Sequence, residues 1–141
     1  MPEFIDAHGV TIVYDVHPAP GPVRAVVQVW HGVGEHAGRY AHVMAHLAAH
    51  GWASLAYDQR GHGHSPGARG HSPSFGTSVR DVQTFIDHIR DHHGIAHADM
   101  AVLAQSVGAV LVATWAHDYA PRVRCLVLAS PAFKVKLYVP F

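Results

Sequence analysis

Ser106 lies in the string Ala104-Gln105-Ser106-Val107-Gly108-Ala109, where an apolar run gives way to a helical pattern. Small residues two places before and two places after it are what a sharp strand-to-helix turn demands. Larger side chains there would clash as the chain reverses. Such a turn lifts a hydroxyl clear of the backbone and seats it at a helix N-terminus, which stabilises developing negative charge. That is the setting of a serine nucleophile attacking a carbonyl. Ala104 stands where the G-x-S-x-G pattern has its first glycine; it is the smallest available replacement and keeps the turn open. The same string also fits an ordinary helix start.

A second candidate is His31-Gly32-Val33-Gly34-Glu35-His36, directly after the apolar run Ala25 to Trp30. Its glycines let the backbone bend so that a peptide N–H points into a site. One such N–H, together with that of the residue after the serine, can hold an oxyanion. Alternatively the segment is a glycine-rich connection with a structural histidine. Both loops, in this order on successive strand–helix units, make the catalytic reading much stronger than either alone.

The chain carries 15 histidines. His42, His46 and His50 are four apart, as are His88 and His92, so on helices each set shares a face that could clamp a divalent metal. No H-E-x-x-H pattern accompanies them, and the expectation is a solvated helix surface with no metal site. Ten basic residues balance ten acidic ones, which removes the electrostatic footprint of a general nucleic-acid binder. Cys125 is the one cysteine, so neither an intrachain disulfide framework nor a Cys-rich zinc site can form. No apolar stretch approaches the roughly 20 residues that cross a bilayer. Met1-Pro2-Glu3-Phe4 lacks the basic and apolar blocks of a signal peptide. These features point to a soluble, cytoplasmic protein with no cofactor, no nucleic-acid partner and no transmembrane segment.

The 141 residues, 49% hydrophobic and 14% charged, fit a single core-forming domain. Phe4-Ile5 and Val10 to Tyr14 flank Asp6-Ala7-His8-Gly9 as a hairpin, before Pro18, Pro20 and Pro22 break regular structure. A strand over Ala25 to Trp30 precedes an amphipathic helix at about 38–50, with Tyr40, Val43, Met44 and Leu47 inward and Gly51 as its left-handed stop. Trp52 to Tyr57 reads as a strand and Asp58 to Gly76 as a long loop. A helix capped by Ser78 and Asp81 follows, with Val79, Val82, Phe85, Ile86 and Ile89 inward. A strand over Met100 to Ala104, a helix from Val107 to about Tyr119 and a strand over Val123 to Ala129 complete the pattern. Strands alternating with helices predict an α/β fold, a mostly parallel sheet flanked by helices on both faces.

His31 to Tyr40, then Tyr57-Asp-Gln-Arg-Gly-His-Gly-His-Ser65, then the serine turn, resemble the monoacylglycerol lipase and lysophospholipase branch of the α/β-hydrolases. The resemblance spans essentially the whole chain. Gln105 to Phe141 also resembles the hydrolase half of bacterial proteins in which such a domain precedes a SAM-dependent methyltransferase. The resemblance implies Ser106 as nucleophile, the Val33 and Val107 N–H groups as oxyanion hole, and lipid-like esters as substrates. It places His31, Gly32 and Gly108 in the supporting loops, Glu35 and Arg39 as a pair bracing the first loop, and Asp58 and Arg60 as braces of the second. His36, His62 and His64 are structural members of these motifs, and Tyr57 is core.

In that family an Asp and a His follow the serine. Downstream of Ser106 this chain offers Asp118 and His117, both within the helix that the serine turn opens, about three turns away. The expectation is therefore the N-terminal part of an α/β-hydrolase domain over residues 1–141, with the cap and last strands missing and little or no catalysis of its own. The alternative is a non-catalytic binding or assembly module on the same scaffold. The strand at 123–129 becomes an apolar sheet edge, which favours homo-oligomers.

Overall fold

The computed structural model describes residues 1–20, 25–29 and 35–134, the backbone alone for 25–29. Glu3–Ile5 (β1) and Thr11–His17 (β2) form the N-terminal hairpin. Its turn is held by Asp6 Oδ1, which accepts from the N–H groups of His8 at 2.8 Å and Val10 at 2.7 Å. Ala25–Val29 (β3), Ala53–Tyr57 (β4), Met100–Gln105 (β5) and Cys125–Ala129 (β6) run parallel, and the order is β1-β2-β4-β3-β5-β6. The hairpin joins antiparallel, β2 pairing with β4. β4 and β5 are buried along most of their length, as apolar strands covered on both faces must be. Trp30, expected to end β3, lies outside the described residues, as does Pro22.

Among the described residues, three α-helices cover the two faces. A 3-10 turn at Ala37–Tyr40 leads into Ala41–Ala49 (α1), so the single helix expected at 38–50 is split in type. Met44 is its fully buried residue and packs with Ala37 and Ala56; Gly51 takes the left-handed φ of +84° that ends it. On the other face Phe75–His93 (α2) packs against Val107–Tyr119 (α3). Val79, Val82, Phe85, Ile86 and Ile89 are all at most 3% exposed, each contributing about 1.5–3 kcal/mol relative to exposure. The anticipated inner face of α2 is thus correct, but its start is not. Ser74 caps it, accepting from Thr77 N–H at 3.0 Å, four residues before the expected Ser78. Gly76, which reads as loop in sequence, sits inside the first turn. Asp81 is no cap; it is buried in an ion pair described below.

Phe4, Tyr14, Tyr57 and Phe85 cluster with ring centroids 4.9–6.4 Å apart, locking hairpin, β4 and α2 together and confirming Tyr57 as core. β6 starts at Cys125 rather than Val123, and Leu126 and Val127 on it are exposed. No helix among the described residues is long and apolar enough to cross a membrane.

Candidate active site

β5 delivers Ser106 to the carboxyl edge of the parallel sheet, and α3 leaves immediately after it. The reversal takes place in one residue: Ser106 has φ 54° and ψ −121°. A side chain at positive φ costs of the order of 1–3 kcal/mol, so surrounding contacts must hold it. They do. Ser106 N–H donates to Ala129 O at 3.1 Å, and Ser106 O accepts from Ala109 N–H at 3.1 Å and Ala132 N–H at 3.3 Å. Ala104 and Gly108, the small residues at −2 and +2, are both buried. The Ser106 hydroxyl makes no capping bond to α3 and the residue is only half-buried. Val107 supplies the first N–H of α3, among the donors a helix start leaves for other partners.

The segment after β4 is held by its own side chains. Asp58 accepts from Ala37 N–H at 2.8 Å and His64 N–H at 2.9 Å, joining the loop before α1 to the loop after β4. Ser65 Oγ donates to Asp58 O at 2.6 Å and accepts from Val13 N–H at 3.0 Å. Gly63, at φ +49°, is the residue over which the Asp58 carboxylate folds; a Cβ there would overlap it. Arg60 braces more than its own loop. It is buried between Asp6 of the hairpin turn and Asp81 of α2, with ion pairs to both. Burial pushes the Asp81 carboxyl up while the Arg60 hydrogen bonds pull it down, and those bonds raise the guanidinium above its ordinary value.

Residues 31–34, with the expected contributors His31, Gly32 and Val33, lie outside the described residues. The adjoining segment is well tied. Tyr40 donates to Glu35 Oε2 at 2.7 Å and also meets Gln105 Oε1 at 3.0 Å, one residue before Ser106. Burial and then the Glu35 carboxylate push the Tyr40 phenol up to about 12. Arg39 and Glu35 are 4.0 Å apart with the Arg39 side chain 62% exposed, which makes that expected brace a weak one.

Two clefts border the loop that follows β4, and the first reaches the serine turn through Val107. One, of about 220 Å³, is lined in part by Gln59, His62, His71, Phe75, Val107 and Leu111. The other, of about 270 Å³, lies between Glu35, His36 and the glycines of the 61–70 loop. His117 and Asp118 pair with each other at 2.8 Å at the far end of α3, roughly 16 Å along its axis from Ser106, as the sequence implied.

Among the described residues, no group of three or more His, Cys, Asp or Glu is placed to hold a metal ion. His42, His46 and His50 are exposed as expected. His88 is not on a solvated face; it packs on Phe4 and Tyr14.

The sequence pattern singled out Ser106, Val107, Gly108, Glu35, Asp58 and Arg60, and the fold gathers them around one edge of the sheet. It did not single out Asp6, Asp81, Tyr40 or Gln105 as partners. Asp6 reads as a turn residue and Asp81 as a cap, and nothing in their spacing announces a shared arginine.

Residues 21–141 match the serine aminopeptidase (S33) family. An uncharacterized Escherichia coli protein, YnbC, is 49% identical over 138 residues, which are 97% of this chain and 24% of that protein. A monoacylglycerol lipase of Mycolicibacterium smegmatis is 38% identical over 134 residues, 92% of this chain and 45% of the lipase. The crystal structure of a Paleococcus ferrophilus monoacylglycerol lipase superposes with a TM-score of 0.75 at 28% identity, covering 92% of this chain and 46% of that one. The chain thus spans less than half the length of these relatives. It belongs to the serine aminopeptidase (S33) family and, among the α/β-hydrolases, to the monoacylglycerol lipase-like branch.

Proposed function

We propose that this chain is the nucleophile-bearing part of a carboxylic-ester hydrolase that acts on lipid-like esters through a serine acyl-enzyme. The observation that carries the reading is the backbone of Ser106, a positive-φ serine between the end of β5 and the first turn of α3. In this reading Ser106 Oγ attacks the ester carbonyl and the carbonyl oxygen becomes an oxyanion. The Val107 N–H and, from the preceding glycine loop, the Val33 N–H stabilise that charge. The tetrahedral intermediate expels the alcohol, which takes the proton that left the serine; water then cleaves the acyl-enzyme. Gly32, Gly108, His31, Glu35, Arg39, Asp58 and Arg60 hold the loops. Lipid-like esters are favoured over peptides by the two lipase relatives, and the apolar Phe75, Val107 and Leu111 in the adjoining cleft suit an acyl chain.

The proton needs a base, and the base an orienting carboxylate. His117 and Asp118, paired together at the opposite end of α3, do not serve. A second reading is a binding or assembly module on the hydrolase scaffold. The test is labelling by an alkyl fluorophosphonate, on this chain and on one continuing past Phe141 to the length of its relatives. Labelling of the longer chain that disappears in Ser106→Ala is expected. An inert longer chain, unaffected by that substitution, would overturn the esterase in favour of the module.

A further inference from the structure

Phe75, the first residue of α2, is 48% exposed, and Leu111, one turn into α3 from Val107, is 2% exposed. Both line the cleft of about 220 Å³, as does Val107, which follows Ser106 directly. The cleft thus has its mouth at Phe75, its floor at Leu111 and the start of the serine turn's helix on its wall. Ser78, one turn along α2 from Phe75, lines it from the same helix face. We propose that this cleft receives a straight acyl chain of about eight carbons, with Leu111 and Ser78 setting where the chain ends. The proposal rests on reading Ser106 as the nucleophile and gives that reading a chain length.

Size sets the length. A cavity of about 150 Å³ takes up benzene, so one of about 220 Å³ has room for roughly eight or nine carbons. The walls select an apolar occupant. Ser72 Oγ donates to Ser74 O at 3.0 Å, so its one proton is committed and the Ser78 hydroxyl, 2.8 Å away, donates to it. These hydroxyls are satisfied within the wall, and a methylene chain laid over them strands no donor. The Arg60 guanidinium on the wall is bound by Asp81 at 3.0 and 3.1 Å and by Asp6, so its charge is already matched. Those bonds also hold the loop side of the cleft in place. Arg69 adds to this by donating to the carbonyls of Gly63, Ser65 and Gly67. A preformed cleft binds a flexible chain at a smaller ordering cost. Of the two parts of an ester, the acyl group stays on the serine while the alcohol leaves and water takes its place. A cleft that closes on Leu111 beside Val107 suits the part that stays.

The experiment titrates the chain with straight carboxylates of four to twelve carbons, the products of the acyl half of the reaction, and follows the Val107 and Leu111 methyl resonances. Affinity should rise by up to about fourfold per methylene as far as eight or nine carbons and then level off. Ser78→Leu, which fills the space of about three carbons, should weaken the eight-carbon acid at least tenfold and leave the four-carbon acid within about twofold. Leu111→Ala should move the plateau to about eleven or twelve carbons; where its melting profile shows that it does not fold, Ser78→Leu decides. An affinity that climbs unbroken to twelve carbons overturns the proposal. So do shifts that centre on Leu126 and Val127 of the exposed β6, or parent-like binding in Ser78→Leu. A second arm ties the cleft to the serine. Fluorophosphonates with eight carbons on phosphorus, the acyl position, should label Ser106 at least tenfold faster than those with two, whereas eight carbons on the alkoxy oxygen should give no such gain. The reverse preference overturns the acyl assignment. If no chain is labelled, or Ser106→Ala is labelled equally, the nucleophile reading fails, and the carboxylate titration still decides whether the cleft holds the chain.

Discussion

Arg60 and Asp81 are joined by two hydrogen bonds, Nε to Oδ2 at 3.0 Å and Nη2 to Oδ1 at 3.1 Å, in a site where both residues are less than 10% exposed. The same guanidinium also pairs with Asp6, so one cation serves two buried carboxylates from elements far apart in sequence. This pins the loop after β4 to both the hairpin turn and α2. Arg60→Met keeps the length of the stem but strands two carboxylates, and is expected to cost about 3–5 kcal/mol in urea unfolding. Adding Asp81→Leu should return part of that loss, since a stranded charge costs more than an absent pair. A double variant no more stable than Arg60→Met would show that the pair does not govern the site.

Gly63 and Asp58 make a tighter demand. The backbone at Gly63 is in the left-handed region, and a Cβ would overlap the carboxylate that holds Ala37 and His64. Gly63→Ala should therefore destabilise by more than about 1 kcal/mol and loosen the loop before α1. In an Asp58→Ala background the steric part vanishes, so the two substitutions should be less than additive. Thermal melts of the four proteins give the answer.

These two relationships also show where a sequence is readable and where it is not. Apolar periodicity located the inner face of α2 and the buried strands β4 and β5, because burial imposes its spacing on every residue of an element. The serine turn was legible since positions −2 and +2 are sterically constrained locally. The cap of α2 lies four residues before Ser78, because Gly76 reads as loop whereas Ser74 supplies the capping oxygen. Pairing of Arg60 with Asp6 and Asp81, or of Tyr40 with Gln105, depends on how the hairpin, α2 and the loops come together. Nothing local encodes that.

Acid should act through the C-terminal end of α2. The Tyr14 hydroxyl lies 3.0 Å from His88 Nε2 and 2.7 Å from His93 Nε2, between two imidazoles of which at least one must be neutral to accept its proton. Burial lowers the pKa of both histidines, with His92 adding repulsion and, for His88, Asp91 opposing. Their folded values lie below the unfolded ones, so the stability they carry is present above about pH 6.5 and lost as pH falls through the lowered values. The melting temperature should drop between pH 7 and 5. Replacing His88 and His93 together by Gln should flatten that drop, while His42→Gln, on an exposed face, should leave it unchanged. An identical pH slope in the double variant would remove this site from the cause.

The strain at Ser106 can be separated from its hydroxyl by comparing two substitutions. Ser106→Ala removes the oxygen but retains a Cβ at φ 54°; Ser106→Gly removes both. Glycine adopts positive φ freely, at the cost of about 0.5–1 kcal/mol of extra unfolded-chain entropy, against strain of about 1–3 kcal/mol relieved. Ser106→Gly should therefore be more stable than Ser106→Ala by about 1 kcal/mol, or a few degrees in melting temperature for a domain of this size. Both should resist fluorophosphonate. In an ordinary helix start without strain, glycine would instead be the less stable of the two. Calorimetry of the pair thus distinguishes a turn held at a conformational cost, of the kind that functional sites accumulate, from one that merely begins α3.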